Sequence, residues 1–427
     1  KTGLIDDQWS VSYPDYNTEP EKSREALLTT GNGFFATRGA MEETRAGDFN
    51  YPGTYMAGLY NRRKSKVKNK WIENEDFVNF IHWTYSSFRI NDGEWFDPDK
   101  HSFEIIYRKL DFRNGLLSRK IRVFGEDGKE TIVTSLRYVS MADPHIAGIS
   151  YEIMPVNYSG TIEIKTAIDG NMINRGVDRY NELDQHHLDQ DDQGVAGRYP
   201  YVVVKTNESL ISLVVASEIE LYLDDTPVQN HENHKVVKGK VSSSYRFALD
   251  SGQTLGITKT VAIYNNRDFN CNNPLREAVA RLEKSGGFCE EKEMSRKKWD
   301  KIWQEADIMI KGDRYAQKLL RMHIYHLLVT ASEFHKHLDA GIPARGLHGE
   351  AYRGHIFWDE LFIFPFYASH YPETARSVLM YRYRRLEEAR RYAASHGYKG
   401  AMFPWQSGSN GREETQVIHL NPVSGKW

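Results

Sequence analysis

At Asn273-Pro274 the spacing of apolar residues changes period, and one layered domain cannot serve both sides of that change. Upstream, apolar runs with strand character recur: Thr161–Ile168 (TIEIKTAI), Tyr201–Thr206, Leu210–Ala216, Ile219–Leu223 and Leu255–Tyr264. Asn91-Asp92-Gly93, Glu126-Asp127-Gly128, Ser159-Gly160 and Asp250-Ser251-Gly252 punctuate them as turns. Many short strands separated in this way point to an antiparallel sandwich. The polar stretch Asn181–Gly194, rich in Asp, Gln and His, reads as a long loop.

Downstream the spacing is helical. Leu275, Val279 and Leu282 share one face of PLREAVARLEK, and Trp299, Ile302 and Trp303 fall at i, i+3, i+4 of the next segment. Asp313 precedes a third amphipathic segment, and Pro372–Ser395 reads as one long helix bounded by Pro372 and Gly397. Strands first and helices afterwards imply separate domains rather than βαβ units. With 427 residues, two or three domains are expected. The expected division is a β-sandwich over 1–270, a helical linker over 271–313 and the first part of a helical domain over 314–427.

Composition narrows the function. The formal net charge is -2, without the basic excess of a nucleic-acid binder. No apolar run approaches the roughly 18 residues that span a bilayer. Cys271 and Cys289 are the only cysteines, too few for a disulfide framework or a zinc cluster. The 25 Tyr and 9 Trp supply rings with an apolar face and a polar handle, suited to sugars and equally to a large sandwich core.

Two stretches could carry chemistry. Ala344–Phe366 (ARGLHGEAYRGHIFWDELFIFPF) runs through Gly346, Gly349 and Gly354 into an apolar helix. Trp358 offers a face to the apolar side of a sugar ring, and Asp359 can accept bonds from two neighbouring hydroxyls. Glu350 and Glu360 add carboxylates close by; a helix start with core aromatics and a capping acid would look the same. Gly397–Trp427 is a glycine-rich loop carrying Trp405, Gln406, Arg412, Glu413, Glu414, Gln416 and His419, as functional loops on a rigid scaffold do and as solvated loops also can.

Other patterns point to structure. Gly31–Gly39 (GNGFFATRG) lacks the context of a nucleotide fingerprint and reads as a tight turn. His323 and His326 lie at i, i+3 with no carboxylate to complete a metal site, and His231 and His234 do not have metalloprotease spacing. The acidic run Asp184–Asp192 lacks EF-hand order. No metal or cofactor is expected.

The chain resembles glycoside hydrolase family 65, which holds maltose, kojibiose and trehalose phosphorylases together with some α-glucoside hydrolases. The resemblance rests on Gly31–Glu43, Tyr51–Asn61, Arg108–Arg119, Gly354–Tyr367 and Tyr398–Gly408, in the family's order over most of the chain. Phe357-Trp358-Asp359 followed by Phe403-Pro404-Trp405 is its most specific part. It implies an N-terminal β-sandwich, a helical linker and an (α/α)6 barrel. It also implies inverting chemistry on a small α-glucoside, with Trp358 and Asp359 at the non-reducing glucose. Trp405 and the polar loop through Glu413 would share that barrel face, with Glu350 and Glu360 as further candidates.

The family's acid motif, Pro-Asp-Glu-Tyr-His-like, does not occur, and about three helices follow Asp313 where six helix pairs close a barrel. The expectation is therefore a member cut within its barrel after Trp427, lacking acid and base, inactive alone and prone to aggregate. Gly411–Pro422 is closer to the hydrolase-type members, so an inverting hydrolase of kojibiose-like glucosides is the expected activity. A phosphorylase using inorganic phosphate and a non-catalytic carbohydrate-binding protein are the alternatives. The resemblance further suggests a homodimer. The Lys1 start suits a periplasmic or secreted enzyme stripped of its leader more than a cut cytoplasmic one.

Overall fold

The structure, a computed structural model, describes residues 8–229, 233–416, 418, 420, 421 and 423–426. His231, His419, Lys1 and Trp427, named above, lie outside them.

The β part is built on a ten-stranded antiparallel sheet. Its neighbours run Ser10–Ser12, Ser102–Asp111, Leu116–Phe124, Glu130–Val139, Ile146–Pro155, Leu255–Asn265, Ser212–Leu223, Tyr199–Thr206 and Leu188–Ala196, with Thr226–Val228 paired to the side. A four-stranded sheet of Asn233–Val237, Lys240–Leu249, Gly160–Asp169 and Ser86–Ile90 packs against it. Burial alternates strictly along Leu116–Phe124, so Leu117, Arg119, Ile121 and Val123 all point inward. Leu255–Asn265 is buried almost throughout because it is covered on both faces. Val261 and Ile263 face the inter-sheet core, while Ala262 meets Ala278 and Leu282 of a helix outside. A strand covered twice has no solvent face, and even Thr258, Lys259 and Thr260 in its middle are buried.

Asn181–Gly194 departs from the loop expectation, because Leu188–Ala196 is the last strand of the large sheet. Asp189, Asp191 and Asp192 stand exposed along that edge, where charge discourages pairing with another chain.

The helices are α1 (Glu21–Leu27), α2 (Pro274–Glu283), α3 (Gly287–Ala306), α4 (Arg314–Thr330), α5 (Glu360–His370), α6 (Pro372–Arg384) and α7 (Leu386–Ser395). The sheet therefore gives way to helix where the period changes. Asn273 caps α2 by accepting from the Arg276 amide, and Asp313 caps α4 by accepting from the Ala316 amide. The long helix expected over Pro372–Ser395 is broken at Arg385, at φ −105° and ψ 15°. Its guanidinium bonds the carbonyls of Tyr381 and Ser409 and pairs with Asp339, so tertiary partners fix the bend. Among the described residues no helix is long and apolar enough to cross a membrane. Cys271 and Cys289 are free thiols.

The α3 face carrying Trp299, Ile302 and Trp303 is buried against Leu110, Phe112 and Leu117 of the large sheet and Tyr325 of α4. Gly115 makes that approach possible. It sits at φ +65°, and a Cβ there would stand 2.2 Å from the Trp299 indole nitrogen. Gly115→Ala is expected to lower stability by about 1–3 kcal/mol through overpacking, read as a lower urea midpoint at unchanged slope.

Candidate active site

Two anchored stretches build the site. An isolated bridge joins Ile356 to Ser407, with N···O distances of 2.9 and 3.1 Å in its two bonds, and so brings the Ala344–Phe366 and Gly397–Trp427 stretches together. Phe357 is buried, while Trp358 and Trp405 remain 49% and 59% exposed, a large opening for two indoles. Their ring centroids lie 6.3 Å apart at 43°, and Phe357 meets Trp405 edge-on at 6.2 Å.

Asp359 begins α5 but does not cap it. Its carboxylate makes no capping bond, unlike the side chains of Asn273 and Asp313, and it is exposed. It lines a cleft of about 500 Å³ that also touches His323, Thr330, Ile342, Arg345, His348 and Glu360. A carboxylate with vacant acceptor sites beside two exposed indoles has the chemistry to take paired hydroxyls.

The other carboxylates are engaged. Glu413 accepts from the Trp405 amide at 2.7 Å and from the Thr415 amide and hydroxyl, so it braces the Trp405 loop. Glu414 pairs with Arg62 at 2.6 Å, tying that loop to the hairpin of Tyr60–Val67 and Lys70–Phe77. Glu360 is buried, accepts from the Ile342 amide at 2.8 Å and pairs with Arg382 at 3.1 Å. Burial pushes its carboxyl up, and Arg382 pulls against that. Glu350 is buried and accepts from two phenols and an amide of the β part.

His323 is exposed, and His326 is half-buried with its Nδ1 2.8 Å from His348 Nε2. Burial holds both members of that pair down, His348 to about 4, so they are neutral imidazoles at neutral pH. Among the described residues no group of three or more His, Cys, Asp or Glu could hold a metal ion. Gly31–Gly39 forms a hairpin with Gly33 at φ +84°. Sequence reasoning passed over Arg345 and His348 in the cleft, and Tyr51 and Tyr55 beneath it. Arg345 and His348 fall within the Ala344–Phe366 stretch, and the only signal for Tyr51 and Tyr55 is membership of the Tyr51–Asn61 segment.

The family models decide the assignment. The N-terminal domain of glycosyl hydrolase family 65 matches residues 11–302, and the family's central catalytic domain matches 321–427. The chain belongs to glycosyl hydrolase family 65. A trehalose 6-phosphate phosphorylase of Lactococcus lactis is 34% identical over 99% of this family 65 chain and 53% of its own length. A kojibiose phosphorylase of Caldanaerobacter subterraneus is 34% identical over 96% of the chain and 52% of its own length. An uncharacterized glycosyl hydrolase of Mycobacterium tuberculosis is 36% identical over 99% of the chain and 32% of its own length. A solved human-microbiome structure assigned as a kojibiose phosphorylase superposes with a TM-score of 0.84 at 22% identity, covering 96% of the chain and 53% of that structure. The β-sandwich followed by (α/α)6-type helices is thus the family's fold. The chain spans about half the length of these phosphorylases. The hydrolase-type reading of Gly411–Pro422 gains no support from these relatives, since those of named activity are phosphorylases. The expectation of an inactive chain gains no support from the matches.

Proposed function

We propose that this chain carries the glucose-binding part of an inverting α-glucobiose phosphorylase. The observation that carries the reading is the unengaged Asp359 carboxylate, set between exposed Trp358 and the cleft, in a family whose named relatives above are phosphorylases. The indole of Trp358 lies against the apolar face of the terminal glucose. Asp359 accepts from two neighbouring hydroxyls, and charge-assisted bonds of this kind orient a ring strongly. Trp405, held by Glu413, closes the same side. Glu360 and Glu350 support the loop.

The reaction is a single displacement. A phosphate oxygen attacks C1 from the face opposite the glycosidic oxygen. The C1–O bond breaks as an acid delivers a proton to the departing sugar, and the anomeric centre inverts. In hydrolysis, base-activated water would take the place of phosphate between two carboxyls ~6.5–9.5 Å apart.

The test is incubation of the whole enzyme with kojibiose, trehalose, trehalose 6-phosphate and maltose, with and without inorganic phosphate. Glucose 1-phosphate formed only when phosphate is present is the expected result. Glucose released equally without phosphate, and no glucose 1-phosphate, would favour hydrolysis. Calorimetric titration with D-glucose reads the binding step by itself.

A further inference from the structure

The loop that delivers Trp358 and Asp359 contains a strained turn. Tyr352 and Arg353 lie at φ 55° and 58°, and Gly354 follows at φ 62°. Non-glycine residues in the left-handed region persist where the surroundings over-determine them. Those surroundings come from the β part. Arg38 donates to the His348 carbonyl at 2.6 Å, Tyr60 donates to the Gly354 carbonyl, and Arg353 pairs with Asp76 at 2.8 Å. A Cβ on Gly354 would stand 2.3 Å from Phe77, so the turn is pressed against the hairpin as well.

At the head of the turn sits Glu350, 4% exposed and 299 residues from its first partner. Its Oε1 accepts from Tyr51 at 2.5 Å and from Tyr55 at 3.0 Å, and its Oε2 accepts from the Gly176 amide at 2.9 Å. Tyr51 is fixed in turn, its hydroxyl accepting from the Arg175 amide at 2.7 Å. Three donors from two separate β segments therefore meet on one carboxylate of the loop. A buried carboxyl without them would be a large cost.

We propose that Glu350 is a positioning residue: by accepting from Tyr51, Tyr55 and Gly176 it holds the left-handed turn that sets Asp359 on the cleft with Trp358 exposed beside it. The proposal rests on the reading of that pair as sugar-facing. Its signature is a titration. Burial pushes Glu350 up to about 7, against the Tyr51, Gly176 and Tyr55 bonds, which favour the charged form, and against Arg38. The charged form is the stronger acceptor for all three donors, whereas the acid carries its own O–H proton on one oxygen and accepts more weakly. The other groups around the adjoining 300 Å³ cavity are Arg38, Arg345, His326 and His348. Burial holds the two imidazoles low and neutral, so neither of them titrates near pH 7.

The experiment combines D-glucose calorimetry between pH 5.5 and 8.5 with amide exchange of the loop. In the unmodified chain, affinity is expected to fall as pH drops through about 7. Glu350→Gln should weaken glucose binding about tenfold at pH 8 and flatten that profile. Tyr51→Phe should move the inflection to higher pH, since a donor favouring the charged form is gone. In both variants the amides of Arg353, His355 and Ile356 should exchange faster while the sandwich strands keep their protection. Folding stability moves oppositely. A carboxyl raised in the folded state stabilises below the ordinary carboxylate range and loses that contribution as pH rises through about 7, a slope that Glu350→Gln removes. An unchanged pH profile together with unchanged exchange in Glu350→Gln would overturn the proposal. Should Glu350→Gln fail to fold, Tyr51→Phe with an unmoved inflection and unmoved exchange does the same. Should the unmodified chain bind no glucose while the exchange still responds, the sugar reading fails and the positioning role stands. Asp359→Asn gives the converse pattern, lost binding with unaltered exchange.

Discussion

Arg119→Ala is expected to destabilise the chain by about 3–5 kcal/mol, read as the shift in a urea unfolding curve at pH 7. Arg119 is 3% exposed on an inward position of Leu116–Phe124 and bonds Glu42 at 2.6 Å and Glu43 at 2.8 Å. Ser135 donates to Glu42 at 3.0 Å and Tyr151 to Glu43 at 2.7 Å. Burial pushes both carboxyls up. For Glu42 the Arg119 and Arg137 charges prevail and hold it below the ordinary range, while Glu43, beside Glu42, stays above it. Without Arg119 two buried carboxylates face each other with a hydroxyl apiece, and only the Arg137 charge remains near Glu42. The variant must bind protons to fold, so its deficit should shrink as pH falls from 7 to 5. The unmodified chain behaves oppositely at Glu42. A carboxyl held low stabilises above the ordinary range and loses that contribution as pH falls through its folded value. Combining Arg119→Met with Glu43→Gln should recover part of the loss, because Glu42 then keeps the buried Arg137 charge beside it and no longer faces a second carboxylate. Recovery would show that the deficit comes from stranded charge rather than from lost packing.

The same cluster marks how far the sequence could be read. Period and turn chemistry act over a few residues, so the strand over Thr161–Ile168, the Gly33 turn and the change at Asn273-Pro274 were legible. Leu188–Ala196 was not, because an exposed edge strand needs charge and here carries three aspartates, a composition that also describes a loop. The Arg385 break was hidden because its causes, Asp339 and Ser409, are not local in sequence. The site divides along the same line. Trp358 and Asp359 announce themselves by residue type at the head of an apolar helix. The pairing of Glu350 with Tyr51, or of Glu75 with Ser409, joins residues hundreds of positions apart, and no spacing rule connects them. Of four neighbouring carboxylates, sequence could not tell that Glu350, Glu360 and Glu413 were already engaged and Asp359 was not.

That difference sets the second large effect. Asp359→Asn keeps shape and volume but removes the charge from the acceptors, and glucose affinity is expected to fall about 10- to 150-fold, the range that charge-assisted bonds support. Its unfolding midpoint should hardly move, since the carboxylate makes no capping bond and is exposed. Glu360→Gln is the matched comparison one residue away. It weakens the pair with Arg382 and the bond from the Ile342 amide, so the expected change is in stability, with affinity altered far less. The pair of variants separates two explanations of an acidic helix start. If Asp359 served α5 by favouring its N-terminal dipole, the loss would appear in unfolding, at typically 0.3–1 kcal/mol, and glucose titrations would superimpose. If it serves the sugar, calorimetry changes and the melting curve does not. Trp358→Ala adds an independent line, because it removes the apolar platform and leaves the carboxylate in place. A chain in which Trp358→Ala and Asp359→Asn each weaken glucose binding, and in which the double variant loses less than the sum, would place both groups on one ligand.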